Sequence, residues 1–289
     1  MQLLFYMILI FILVVWVEKP GGFLSNTLII RKCPGEELED WLKKFHWQHR
    51  QDLGLPGLLP RYKFYSEVTE ILLKLARKMG GNYQDSLLFL REGLQLDRQF
   101  EKKIKEAIFG MWLQMAFMML LTWVFIIGAL NLVEINMKAM NLILIFTWQI
   151  LGLLCLPFLT SFLRKKYFSD IGKLWKILFI LKSLVKVPLS RTEVLHLAGV
   201  GELAGIKQKS LLTLVSKLRE TCQKCLKMGT SYEEEVTYLM EELRFQEKWH
   251  FELFEKKLTV VKLGLLSLFF LPSYLAFIFL LLGDLITLM

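Results

Sequence analysis

The chain has 289 residues, of which 54% are hydrophobic and 22% charged, and its mean hydropathy is +0.43. That pairing excludes an ordinary soluble domain: apolar excess and abundant charge coexist only when apolar spans alternate with charged helical modules. In such a chain the net charge of +9 reports first on which loops stay in the cytoplasm, and no nucleic-acid partner is expected.

Four cysteines, three of them outside any apolar run, are too few and too irregular for a disulfide framework. Asn-x-Ser/Thr does not occur, so nothing marks a glycosylated ectodomain.

Leu3 to Val17 is apolar throughout and is followed at once by Glu18-Lys19-Pro20-Gly21-Gly22. A cleaved signal peptide needs a basic start and a small-residue cleavage site. Met1-Gln2 supplies no basic residue and Val15-Trp16-Val17 is a poor site. Residues 1–17 are therefore expected to form an uncleaved first transmembrane helix, at the short limit for a span. Lys19, Arg31 and Lys32 place the N-terminus outside and the next segment in the cytoplasm.

Residues 18–107 read as a first cytoplasmic helical module. Pro20-Gly21-Gly22 and Cys33-Pro34-Gly35 are breakers. Glu36 to Gln51 mixes charge with Trp41, Phe45 and Trp47. It is expected to be a helix that either lies on the membrane surface or packs on its neighbours. Leu53 to Arg61, with Gly54, Pro56, Gly57 and Pro60, reads as a linker. Ser66 to Met79 carries the stripe Val68, Leu72, Leu75 and Met79. Gly80-Gly81 closes that helix, and Asn82 caps the next, which runs to Lys105.

Residues 108–163 form a transmembrane hairpin, Ile108–Leu132 and Asn141–Leu163, joined by an external turn charged only by Glu134 and Lys138. No charge sits at the centre of either span, where one costs about 2.5–3.5 kcal/mol, so the usual marker of an ion path is missing. Arg164-Lys165-Lys166 pins the inner end in the cytoplasm.

Residues 164–257 form the second cytoplasmic module, read as four amphipathic helices in an antiparallel bundle. The first, Gly172 to Lys186, aligns Leu174, Leu178, Leu181 and Val185 and stops at Pro188. Ser190-x-x-Glu193 is a capping box opening the second, which fades through Gly199, Gly201 and Gly205. The third, Lys207 to Met228, aligns Leu211, Leu214, Leu218, Cys222 and Cys225. Gly229 stops it, and Ser231-x-x-Glu234 opens the fourth. Residues 258–289 hold the last span, Leu263 to Leu282, interrupted by Pro272, with Asp284 beyond its outer end. The fold expected is an all-α integral membrane protein with about four transmembrane helices, two cytoplasmic helical modules and both termini outside.

Chemistry is sparse. Cys222-x-x-Cys225 is a lone CxxC on an apolar stripe, so its thiols read as small core residues. His46 and His49 give two imidazoles without a third ligand. Gly199-x-Gly201 to Gly205 follows a helix rather than a strand, which makes a helix-ending turn the better reading than a phosphate loop. Glu233-Glu234-Glu235 complements a helix dipole, and an acidic contact for a partner is the alternative. Pro272 is expected to kink the last span, with neighbouring helices or backbone adjustment satisfying the freed carbonyl. No catalytic, metal-binding or cofactor-binding set emerges, and the chain reads as no enzyme.

The two halves echo one another. Lys78-Met79-Gly80 with Tyr83 recurs 149 residues later as Lys227-Met228-Gly229 with Tyr232. Tyr83, Leu87, Leu90 and Leu94 match Tyr232, Val236, Leu239 and Leu243, and each set leads into an apolar run. Residues 170–288 add Gly229-Thr230-Ser231, Leu243-Arg244, Lys257-Leu258-Thr259-Val260-Val261-Lys262 and Leu271-Pro272. In these features the second half resembles the F-domain of type II secretion and type IV pilus machinery, closest to Tad (Flp) pilus platform proteins of the TadB/TadC type. Lys103-Ile104-Lys105-Glu106-Ala107-Ile108 resembles the same junction, with Phe109-Gly110 in place of the family's Tyr-Pro.

The resemblance implies a non-enzymatic platform in the bacterial inner membrane. Its partners would be a hexameric cytoplasmic assembly ATPase, pilin subunits, the lipid bilayer, and a second F-domain protein or a second copy of itself. Gly80, Tyr83, Lys105, Gly229, Tyr232, Arg244, Lys257 and Pro272 would then be the structural and coupling positions. The alternative is a transporter or channel built from two repeated halves, although such proteins usually place polar groups or broken helices at the midplane.

Overall fold

A computed structural model describes residues 34–48, 59–79, 84–133, 139–185, 189–228 and 231–288. The expected first span, most of the Leu53–Arg61 linker, the turn at 134–138 expected to be external, and Gly80, Tyr83 and Gly229 lie outside the described residues. Among the described residues every regular element is helical. The chain divides into two units, Met1–Gln95 and Leu96–Met289.

The first unit contains α1 (Pro34–Gln48), α2 (Tyr65–Met79) and the start of α3 (Gln84–Val133). Proline at the first helical position costs α1 no hydrogen bond, and Glu36 and Glu37 in its first turn oppose the dipole. Leu38, Trp41 and Leu42 are buried. Glu39 is buried beside them because its carboxylate accepts from Gln95 Nε2 and meets Lys43 Nζ, each at 2.8 Å. The apolar face of α1 is thus buried, with Glu39 tied to Gln95 within the unit. On α2, Val68 and Leu72 from the expected stripe are buried. So is Tyr65, whose hydroxyl donates to the Gly93 carbonyl at 3.0 Å. Leu90 and Leu94 of α3 are fully enclosed.

In the second unit α3 continues, followed by α4 (Ala139–Leu184), α5 (Arg191–Leu197), two 3-10 turns (Val200–Gly205 and Lys209–Leu211) and α6 (Leu212–Met228). Then come α7 (Glu233–Leu265), a π turn (Leu266–Phe270) and α8 (Leu271–Leu288). Three helical stretches, Asp85–Leu132, Ala139–Leu184 and Glu233–Gly283, are long and apolar enough to cross a membrane. Phe117, Phe158 and Phe279 remain 59%, 78% and 71% exposed, as side chains facing lipid would be.

The expected boundaries at 107/108, 163/164 and 257/258 fall inside α3, α4 and α7. Lys and Arg are good helix formers, so Arg164-Lys165-Lys166 marks a change of solvent and not of backbone. The expected separate helix starting at Gly172 is the last third of α4, with Leu174, Leu178 and Leu181 buried. Pro157 is carried inside α4, its carbonyl accepting from Thr160 Oγ at 3.1 Å.

Local signals hold in the polar half of the unit. The capping box forms: Ser190 Oγ accepts from Glu193 N, and the Glu193 carboxylate accepts from Ser190 N at 3.1 Å. Gly199 adopts φ +68° where α5 passes into the first 3-10 turn, a left-handed conformation that glycine holds without strain. The stripe Leu211, Leu214, Leu218, Cys222 and Cys225 is buried throughout. The second capping box does not form. Tyr232 is the residue before α7 and makes no side-chain cap, while Ser231 Oγ accepts from Glu233 N at 3.4 Å.

Leu265, Phe269, Ser273 and Phe277 are all buried at four-residue spacing. Three such steps in an α-helix drift roughly 120° from one face. The wider π turn takes up the surplus residue and keeps all four side chains facing inward.

Candidate functional site

Charge, aromatic rings and close backbone approach tie α4 to α7 and α8 along one antiparallel register. Near the polar end Lys182 Nζ lies 3.4 Å from Glu233 and also donates to Thr237 Oγ. Further along, Trp175 Nε1 donates to Glu247 at 3.2 Å. Phe168 then meets Phe254 edge-on with ring centroids 5.4 Å apart. In the apolar half Trp148 Nε1 donates to the Leu268 carbonyl at 3.3 Å. Thirty-four residues separate Trp148 from Lys182 and 35 separate Glu233 from Leu268. End to end the two stretches therefore match over about 50 Å at 1.5 Å per residue.

Aromatic side chains join α3 to this pair where the apolar stretches begin. Phe100 packs edge-on against Phe168 (5.4 Å) and Phe251 (5.7 Å), contacts worth about 0.5–1.5 kcal/mol each beyond their burial. His250 is buried beside Tyr167 and Trp249, with Nε2 2.9 Å from Ser210 Oγ, and so fastens the entry of α6 to α7. Arg164 spans both carboxylate oxygens of Glu101 at 2.8 Å, and Lys262 Nζ reaches Gln114 at 2.8 Å.

The π turn is seated by its neighbours. A Cβ on Gly152 would lie 2.8 Å from both Cβ and Cγ of Phe269, so only glycine admits the turn at this distance. Pro272 has no N–H to return to the Leu268 carbonyl, four residues earlier, and the Trp148 indole supplies the missing donor. Ser273 Oγ donates to the Phe269 carbonyl at 2.6 Å. The expectation that neighbouring groups satisfy the backbone around Pro272 is met by Trp148. Beside it Gln149 is fully buried. Its Oε1 accepts from Trp123 Nε1 at 2.9 Å, while its amide nitrogen has no partner among the described residues.

Of the positions singled out by sequence, Lys105, Arg244, Lys257 and Pro272 are exposed and strung along α3, α7 and α8. Only Lys105 and Lys257 fall at a similar level along their helices, and the four do not form one cluster. Tyr232 is half-buried against α6, where burial pushes its hydroxyl up to about 12, helped by Cys225 and Cys222 and opposed by Arg191. Burial, with Cys225 adding to it, pushes the Cys222 thiol up to about 11. Burial raises Cys225 too, against the pull of Arg191. Protonated thiols are poor nucleophiles and poor metal ligands. Glu233, read from sequence as a capping residue, also pairs with Lys182.

Trp148, Gln149, Gly152 and Phe269 carried no sequence signal as a group. Only the paired tryptophan and glutamine inside an apolar run could have drawn attention to one of their members.

The class of protein defined by the described residues is all-helical, with three helices among them long and apolar enough to cross a membrane. No family model, curated protein or solved structure matches it.

Proposed function

We propose that the chain is a non-enzymatic platform protein of the bacterial inner membrane, serving a Tad (Flp)-type pilus or a type II secretion machine. In this reading a hexameric cytoplasmic ATPase displaces the helical bundle. The displacement passes into the bilayer, where pilin subunits are extracted into a growing fibre. A second F-domain protein, or a second copy of this chain, completes the platform, and the termini lie outside the cytoplasm.

One observation carries the reading: α4 and α7–α8 keep a single register from Lys182–Glu233 to Trp148–Leu268. A mechanical relay needs such continuity, because a flexible joint at the membrane boundary would absorb the stroke. Inserting a short Gly/Ser linker after Lys257 is expected to abolish piliation while the protein still inserts and its bundle still folds. Piliation that survives the insertion defeats the relay. Co-purification of the full-length protein from its host should recover a secretion ATPase and an F-domain partner.

A transporter is the second reading, favoured by the π turn and the buried Gln149 amide at membrane depth. Against it, the Leu268 and Phe269 carbonyls are occupied by Trp148 and Ser273 and so are not offered to a substrate. Solute flux in reconstituted vesicles, without any partner protein, would establish this second reading over the first.

A further inference from the structure

Three helices enter the apolar region through one basic layer. The Glu101–Arg164 bond and the Phe100–Phe251 contact set α3, α4 and α7 at a common level. From that level Lys103 and Lys105 lie two and four residues along α3, Lys165 and Lys166 lie one and two residues along α4, and Lys256 and Lys257 lie five and six residues beyond Phe251 on α7. Since α4 runs opposite to α3 and α7, at 1.5 Å per residue all six fall within a layer roughly 12 Å thick. They are all exposed, and none has an acidic partner among the described residues.

The acidic groups in the layer do not cancel this charge. Glu101 is held by Arg164 at 2.8 Å and Glu106 by Lys102 at 3.8 Å. Glu252 and Glu255 remain against the six lysines. The external turn between the first two described spans, by contrast, carries only Glu134 and Lys138.

We infer that Lys103, Lys105, Lys165, Lys166, Lys256 and Lys257 form a collar that binds the phosphates of anionic membrane phospholipids. The layer sits where apolar helix gives way to polar helix, which in a bilayer is the headgroup region, several ångströms deep on each side. Lysine suits that place: its aliphatic stem covers apolar surface while the ammonium reaches the phosphate. Three helices contribute two lysines each, so bound lipids bridge the helices as well as anchor them. Lys105 and Lys257, read from sequence as coupling positions, thereby gain a direct ligand. The inference depends on the helices crossing a membrane and is independent of the machine they serve.

The test uses the purified full-length protein in bilayers of phosphatidylcholine containing about one third phosphatidylglycerol. Native mass spectrometry then reads which lipid is retained. A lysine near an anionic surface strengthens its attraction by about fivefold. Replacing both lysines of one helix by glutamine should therefore lower phosphatidylglycerol enrichment by at least about fivefold. Replacing all six should abolish the enrichment, and the six Lys→Arg changes should keep it. Raising salt from about 0.15 M to 1 M shortens the screening length from about 8 Å to about 3 Å and should sharply reduce the wild-type enrichment. This salt arm needs no variant to fold.

Enrichment that is absent in the wild type, unchanged by the six glutamines, or insensitive to salt would overturn the inference. So would displacement of the lipid by millimolar inorganic phosphate, which would identify a free-phosphate site instead. Piliation is not read in any arm, so failure here is distinguishable from failure of the platform reading.

Discussion

Gly152→Ala tests the seat of the π turn directly. The added Cβ would lie 2.8 Å from both Cβ and Cγ of Phe269 and 3.1 Å from Cδ2, against the 3.4 Å at which ordinary van der Waals contact begins. Phe269 Cβ is fixed to its backbone and cannot rotate away, so α4 and the π turn must part by about 0.6 Å, enough to be felt in a close-packed interior. Overpacking of this kind costs about 1–3 kcal/mol. Alanine also improves helix propensity by up to about 1 kcal/mol, and this gain would hide part of the cost. Gly110→Ala and Gly128→Ala supply the reference, since a Cβ at either position meets nothing within 4 Å. Relative to those two variants, Gly152→Ala is expected to be about 1–3 kcal/mol less stable. Equilibrium unfolding by SDS in mixed micelles, followed by tryptophan fluorescence and far-ultraviolet circular dichroism, measures the difference. Stability equal to that of Gly128→Ala would refute the close approach of the two helices.

The remaining predictions address the same turn and the polar half of the unit. Trp148→Phe removes the donor to the Leu268 carbonyl and should cost about 0.5–1.5 kcal/mol, within the range for hydrogen bonds between membrane helices. In a Pro272→Ala background, which restores an N–H, the loss should shrink toward zero in the same unfolding assay. Deleting Ser267 should close the π turn into continuous α-helix with Phe277 still facing inward, and should leave the protein folded. Deleting exposed Lys248 should swing His250, Phe254 and Leu258 about 100° out of their seats and unfold the bundle, and equal damage from both deletions would count against the surplus-residue account. Stability should fall as pH rises from about 9 to about 12. The unfolded chain releases protons near 9.0 and 10.0, whereas folded Cys222 and Tyr232 hold theirs to about 11 and about 12. Thermal melts across this window should show the lower step reduced in Cys222→Ala, the remainder coming from Cys225.

What sequence could reveal follows the range of the interactions involved. The stripe from Leu211 to Cys225 and the Ser190–Glu193 box involve neighbours within a few turns, so periodicity and spacing suffice to find them. The matching sets Leu90–Leu94 and Val236–Leu239–Leu243 are likewise buried in their own units. The boundaries at 107/108, 163/164 and 257/258 were drawn from composition, which senses solvent and not hydrogen-bonding continuity. Lys, Arg and Leu propagate an α-helix equally well through such a change. The π turn had only Pro272 as a marker. Its causes, Gly152 against Phe269 and Trp148 against Leu268, join positions more than 100 residues apart. The four-residue spacing of Leu265, Phe269, Ser273 and Phe277 was present in the sequence. Period four is close enough to 3.6 to pass for an ordinary helix until all four side chains are seen on one face.

The location of the π turn decides what kind of motion the second unit can transmit. A hinge needs a backbone interruption with few contacts around it, because local opening is cheapest where little is buried. Here the interruption is the most tightly held part of the α4–α8 contact: Gly152 and Phe269 are in close approach, and Trp148 and Ser273 occupy two successive carbonyls. At the boundary between polar and apolar halves, α4 and α7 pass without interruption, with Phe168 and Phe254 packed between them. The compliant contacts are those to α3. They are made by ring edges at Phe100, by side-chain hydrogen bonds at Trp123–Gln149 and Lys262–Gln114, and by apolar packing of Ile126 with Ile145 and Phe277, side-chain contacts that tolerate sliding better than a glycine seat does. A force applied near Lys182 and Glu233 would therefore tilt α4 and α7–α8 together against α3. The place to look for a functional displacement is the α3 interface rather than a bend within the pair.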